Sequence, residues 1–189
     1  MNVTDIDVFI DLEGVGLGRT RGPKTPEEIE RSVNSLLDQI PVGLTREGFQ
    51  LRQLWGTASL WRGKTFLSSR IQHSLHRSFV SHRGTMYWTT EIADYALIGE
   101  VQNRLALGTL ASAVLLVAND HDFRPLVVKL LKAQRYVVVS GIEVSQRLSR
   151  VASRTISLWE LCGFDNTFVF KPSRVNLNPI DIELPSPQI

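Results

Sequence analysis

The sequence predicts an α/β domain whose mainly parallel central sheet is covered by helices on both faces. Three observations carry that expectation. Ala113 to Ala118 is an uninterrupted apolar run of the kind found in strands buried on both faces. Tyr136 to Ser140 is a second such run, and between the two Leu126, Val127, Leu130 and Leu131 fall at helical spacing. Apolar strands alternating with amphipathic helices bury both sets of apolar side chains only when helical layers sandwich the sheet.

Taken in order, Asp7 to Asp11 reads as a first strand, short, apolar and ending in a carboxylate. A Gly-rich turn follows (Gly14, Gly16, Gly18), then a basic, breaker-rich stretch from Arg19 to Pro26. Thr25 and Pro26 open a helix, with Glu27 and Glu28 complementing its positive dipole end. Ile29, Val33, Leu36, Leu37 and Ile40 form its apolar stripe, and Pro41 is expected to stop it. Phe49 to Trp61 alternates loosely and reads as a strand, and Phe66 to Phe79 as a helix with Ile71, Leu75 and Phe79 on one side. A further helix starts near Ala93, with Leu97, Val101 and Leu105 in line, and runs out at Gly108. Asn119 to Asp122 is a polar turn after the Ala113 strand. Beyond Ser140, Val144 to Arg154 reads as helical, and Ile156 to Trp159 as a short strand or turn. There is no internal repeat.

The chain of 189 residues suits one domain, residues 1–170, with residues 171–189 an extended or disordered tail carrying Pro172, Pro179, Pro185 and Pro187. An apolar share of 43% is ample for a core. The single cysteine, Cys162, excludes an internal disulfide, suits a reducing compartment, and is expected to be a small buried residue. Asp5 and Asp7 precede the first apolar run with no basic leader, and no stretch approaches the roughly 18 apolar residues of a membrane span. The expectation is a cytoplasmic protein with no membrane partner.

Net charge is only +2, but it is unevenly spread. Between Thr45 and Thr90 stand Arg46, Arg52, Arg62, Lys64, Arg70, Arg77 and Arg83 against the single acid Glu47, with Trp55, Trp61 and Trp88 interleaved. Such a stretch can face a nucleic-acid backbone, arginine pairing with phosphate and aromatics stacking on bases. On charge alone the favoured reading is the plainer one, a solvated surface with its tryptophans packed inward.

The carboxylates are placed more tellingly. Asp11 directly follows Val8-Phe9-Ile10, and Asp120 and Asp122 follow Val114 to Val117, so both groups sit at the C-terminal ends of buried strands. Parallel sheets bind ligands in the crevice beyond those ends. Carboxylates held together repel one another unless a cation neutralises them, and hard oxygen donors select Mg²⁺ or Mn²⁺. Each acid has a plainer role available: Asp122 as a helix cap, Asp120 in an Asx turn, Asp94 capping the helix near Tyr95. Asp11 is harder to assign this way, since a charge at the end of a buried strand needs a partner.

These residues carry a family resemblance. Val8-Phe9-Ile10-Asp11-Leu12-Glu13-Gly14 resembles the first motif of the NYN family of PIN-like ribonucleases, an apolar strand, an aspartate and an acid two residues on. Val114 to Phe123, ending Asn119-Asp120-His121-Asp122-Phe123, is similar to the family's later Asp-x-Asp-Phe motif, and Ile92-Ala93-Asp94-Tyr95-Ala96-Leu97 to its central one. The resemblance spans roughly Asp7 to Leu161. It implies a PIN-like (Rossmann-like) three-layer α/β/α fold and metal-dependent cleavage of RNA, with Asp11, Asp94, Asp120 and Asp122 as the catalytic and metal-site residues. It also makes a homodimer plausible. Gly14 stands where members usually carry asparagine, Glu91 near a usual lysine, and Glu100 at a second central acid that helical geometry turns about 120° from Asp94.

On this reading Mg²⁺ or Mn²⁺ supplies the Lewis acidity, and Arg52, Arg62, Arg77 and Arg83 hold the RNA strand with salt-sensitive affinity. His121 either touches substrate or faces solvent. Two rival readings stand beside it. A DEDD-type 3′–5′ exonuclease would use Asp11-Leu12-Glu13 as its opening motif, although the late aspartates Asp165 and Asp181 lack the neighbouring histidine or tyrosine it requires. A PIN-like module could also hold RNA or a protein without cutting.

Overall fold

A computed structural model of the chain describes residues 3–14, 26–62, 65–66 and 68–163, and for residues 26, 61, 62, 65 and 66 the backbone alone. The Gly-rich turn beyond Gly14, the stretch from Arg19 to Thr25, Lys64 and the tail after Lys171 lie outside the described residues.

Six strands form one sheet in the order β5-β2-β1-β6-β7-β8, and every neighbouring pair is parallel. They are β1 (Thr4–Asp11), β2 (Phe49–Ser59), β5 (Thr85–Thr89), β6 (Ala113–Val117), β7 (Tyr136–Gly141) and β8 (Arg154–Ser157). Two short antiparallel pieces, β3 (Trp61–Arg62) and β4 (Thr65–Phe66), follow β2 in the chain. The helices are α1 (Pro26–Arg46), α2 (Ser69–Ser81), α3 (Ala93–Ala106), α4 (Arg124–Lys132), α5 (Gln146–Ser149) and α6 (Leu158–Cys162).

Side chains alternate across a strand, and β1 shows the consequence. Ile6, Val8 and Ile10 join a cluster built with α1, α2 and α6, through residues such as Leu37, Phe79 and Leu161. Phe9 points the other way. It joins a second cluster with Leu97 and Val101 of α3, Leu126 and Leu130 of α4, and Leu148 of α5. Two helical layers on one sheet make the three-layer α/β/α architecture that the sequence predicts, in its Rossmann-like form.

The topology fixes where a ligand can bind. From β1 the chain moves outward to β2 and β5, then returns through α3 to β6, on the other side of β1. The connections leaving β1 and β6 therefore diverge to opposite faces, α1 to one and α4 to the other. They leave a crevice beyond the carboxyl ends of these two strands, the switch point at which such sheets hold ligands.

Three sequence expectations need correction. Helix α1 does not stop at Pro41 but runs to Arg46. A proline inside a helix costs roughly 3 kcal/mol through its missing N–H and its ring, and a seam with α6 offsets that here. Leu44 is buried, Gly43 lies so close to α6 that an added Cβ would meet the Leu161 carbonyl oxygen, and Arg46 donates to that same carbonyl at 2.8 Å. Helix α2 starts at Ser69, capped by Ser68, and Phe66 lies in β4. The helix expected over Val144 to Arg154 is a single turn, because Ser153 Oγ accepts the Val137 N–H at 3.0 Å and draws the chain into β8.

Cys162 is buried as expected, and its burial pushes the thiol up to about 12. No helix among the described residues is long and apolar enough to cross a membrane.

Candidate metal centre

Period-two alternation places Asp11 on the same face of β1 as Phe9, toward α3. It is the last residue of the strand and is 2% exposed. The chain turns sharply behind it, so that the N–H groups of Glu13 and Gly14 donate to its two oxygens, each at 3.0 Å. Gly14 is required by this turn: a Cβ there would lie 2.3 Å from Asp11 Oδ2. An asparagine at this position, usual in the resembled family, would have to displace the carboxylate.

Asp94 arrives from a different direction. Ile92, not Asp94, is the cap of α3, and Asp94 occupies the first turn at the carboxyl end of the sheet. Asp120 and Asp122 arrive from a third, in the turn after β6. There Asp120 Oδ1 accepts the Asp122 N–H at 3.2 Å and caps a short 3₁₀ turn over His121 to Phe123. The Asx role expected of Asp120 is thus real, whereas α4 begins without a side-chain cap and leaves Asp122 free of that duty. His121 lies between the two acids, its Nδ1 2.8 Å from Asp120 Oδ1 and its Nε2 3.6 Å from Asp122 Oδ1. One ligand atom from each of Asp120, His121 and Asp122 falls within 4.8 Å of the others.

The three segments act on one another electrostatically. The Asp11 carboxyl is pushed up to about 7, chiefly by burial and next by the charge of Asp94. Glu13 adds to that rise, and the two N–H partners oppose it. Asp94 is pushed up to about 6, first by burial and then by Asp120, Glu13 and Asp122. Carboxylates shift this way when like charges share a poorly solvated site without a compensating cation. Among the described residues the donors within reach of a single ion are Asp120, His121 and Asp122; Asp94, and through it Asp11, is coupled to them by charge without joining that group. Carboxylates with an imidazole suit a divalent cation such as Mg²⁺ or Mn²⁺.

Two residues that sequence reasoning underweights stand beside these acids. Glu13 enters the sequence reading mainly through the exonuclease rival, yet it raises the pKa of both Asp11 and Asp94 while its Oε1 accepts the Ser59 N–H at 2.7 Å. The acid two residues after Asp11 is the available signal. Asn119, 5% exposed, ties the loops together: its Nδ2 donates to the Gly14 carbonyl at 2.5 Å and its Oδ1 accepts the Glu143 N–H at 3.0 Å. Nothing in the sequence separates it from an ordinary turn asparagine.

The basic stretch from Thr45 to Thr90 is mostly occupied elsewhere. Arg52, expected to hold substrate, sits at the opposite end of the sheet. A bulge leaves it outside the β1–β2 register, and it grips Asp7 through Nε at 2.8 Å and a terminal nitrogen at 2.5 Å. Arg70 pairs with Glu27. Arg83 is in the left-handed turn between α2 and β5 (φ 56°), again at the amino end of the strands, and Arg77 is exposed on α2. The side chain of Arg62 lies outside the described residues. Trp55 is packed, stacked on Tyr87 at 5.3 Å and covered by Arg104 at 3.7 Å. Glu100 pairs with that Arg104 at 2.7 Å instead of joining the aspartates.

No protein-family model matches the chain, and no curated protein does. Among solved structures it is similar to the crystal structure of a protein of unknown function from Vibrio parahaemolyticus, with a TM-score of 0.56 and 14% sequence identity. That likeness covers 82% of this chain and 93% of the other, and it concerns the fold.

Proposed function

We propose that the protein is a metal-dependent ribonuclease of the NYN, PIN-like kind, cutting RNA phosphodiester bonds endonucleolytically in the cytoplasm. One observation carries the reading. Three separate segments bring Asp11, Asp94 and Asp120 toward the topological switch point, where Asp94 raises the proton affinity of Asp11 and Asp120 that of Asp94. A fold does not keep mutually repelling carboxylates together for its own stability, so the arrangement calls for a cation from outside.

Asp11, Asp94, Asp120 and Asp122 would hold Mg²⁺ or Mn²⁺, with Glu13 close by. Bound there, the ion supplies Lewis acidity toward a phosphate and lowers the pKa of a nearby water. The remaining work falls to the chain. Backbone N–H groups of Glu13 and Gly14 fix both Asp11 oxygens, and Asn119 locks the loops in register. Asp120, half-buried, and Asp122, exposed, face the solvent from which substrate enters. His121 is exposed between them and positioned to meet a phosphate or leaving group.

The test is cleavage of labelled single-stranded RNA with Mn²⁺ or Mg²⁺, with and without EDTA, beside an Asp120→Asn variant. Internal fragments that vanish with chelator, and a loss of at least about a hundredfold in the variant, are expected. Cleavage indifferent to both would overturn the reading. A ladder from the 3′ end would move it to the exonuclease rival, and binding without cleavage under any metal would leave a non-catalytic module.

A further inference from the structure

Beside the acidic turn lies a cleft of about 590 Å³ with the opposite charge. Arg124 at the start of α4 and Arg147 and Arg150 at α5 line it, Val151 contributes apolar wall, and His121 and Asp122 form its rim toward the aspartates. All three arginines are exposed, and among the described residues none has an ion pair or a side-chain hydrogen bond. Arg46 is held on α6 carbonyls, Arg52 on Asp7, Arg104 on Glu100 and Arg154 on Glu47, whereas Arg77 and Arg83 share the lack of a partner among the described residues but do not line this cleft.

Arg124, Arg147 and Arg150 place three like charges around one cleft, and a polyanion bound there lowers their mutual repulsion. The volume is nucleotide-sized rather than suited to a lone inorganic anion. Arginine binds phosphate oxygens in a bidentate fork, and an apolar wall tolerates sugar and base faces. His121 and Asp122 line the same cleft, so a chain of phosphates lying in it would reach the edge of the acidic turn.

We infer that this cleft between α4 and α5 binds consecutive phosphates of a single-stranded RNA through Arg124, Arg147 and Arg150. The choice of ligand rests on the nuclease reading. The cleft replaces the basic stretch after Thr45 as the strand-holding surface, and its arginines come from two separate connections at the carboxyl end of the sheet.

The experiment measures binding of a short fluorescent single-stranded RNA by anisotropy in EDTA, where cutting does not interfere, as a function of salt. The full chain is compared with an Arg124→Gln/Arg147→Gln/Arg150→Gln variant and with Arg77→Gln/Arg83→Gln as a charge control on a distant surface. Circular dichroism confirms that each variant is folded. The cleft variant is expected to lose roughly tenfold or more in affinity, with a salt slope shallower by about 2, and the control less than about twofold. Unchanged binding by the cleft variant, an equal loss in the control, or no RNA binding by the natural chain overturns the inference. Failure of the nuclease reading looks different: RNA binding that depends on the three arginines, with no cleavage in Mn²⁺, retains the cleft and removes the enzyme.

Discussion

Asp7 and Asp11 lie on the same strand and the same face, and both are buried, 0% and 2% exposed, yet they have opposite surroundings. Asp7 sits toward the amino end of the sheet and is fully matched. Arg52 binds both its oxygens, the Ala111 N–H donates to it at 2.9 Å, and Arg52 is itself fixed by the Thr109 carbonyl. Asp11, two residues beyond Phe9, has backbone N–H partners, and its charged neighbours are Asp94 and Glu13. The first carboxylate is completed by the fold. The second is surrounded by like charge, and this is the difference between a structural ion pair and a candidate centre.

The contrast can be broken first at its structural end. Arg52→Ala leaves Asp7 buried and unmatched, so urea unfolding should show a loss of about 3 kcal/mol, while Mn²⁺-dependent RNA cleavage by the folded fraction persists. A stability change within experimental error would mean that Asp7 is rescued by water and that the two ends are less different than the geometry indicates.

Asp11→Asn removes the charge that burial and Asp94 disfavour but turns an NH2 toward one of the two N–H groups that Asp11 accepts, so its diagnostic effect lies in the pH dependence and not in stability at a single pH. The pH dependence follows with a definite sign. The folded-state value of about 7 exceeds the ordinary value of 3.8, so the folded protein holds more protons between them. Stability therefore falls as pH rises through that window and is lowest above it. Thermal melts across the window, natural chain against Asp11→Asn, should show the decline flattened in the variant. Parallel curves would place the repulsion elsewhere.

Much of this is legible in the sequence because the central strands are simple. β6 and β7 are buried along most of their length and read as apolar runs, β1 carries the shorter run Val8 to Ile10, and Asp11 ends β1 while Asp120 follows β6. The edge strand β5 gives no such signal: Thr85 to Thr89 is short and largely open, with only Met86 buried. Val144, Leu148 and Val151 keep near-helical spacing and all pack on the second cluster, yet the backbone holds one turn, since side-chain burial does not require a continuous helix. The arginine cleft is illegible for another reason. Its charges come from the connections after β6 and β7 and become neighbours only when those strands pair. The stretch after Thr45 has the denser charge in sequence, but Arg46, Arg52 and Arg70 turn it inward or onto neighbouring acids.

The most direct measurement of the central claim is calorimetric titration of the metal-free protein with Mn²⁺ at about pH 8 and again at about pH 5, where protons compete for the raised carboxylates. Saturable binding at the higher pH, weakened at least about tenfold at the lower pH and in Asp11→Asn but retained in Arg77→Gln/Arg83→Gln, is the predicted result. Absence of saturable binding, or equal affinity in Asp11→Asn, would contradict it.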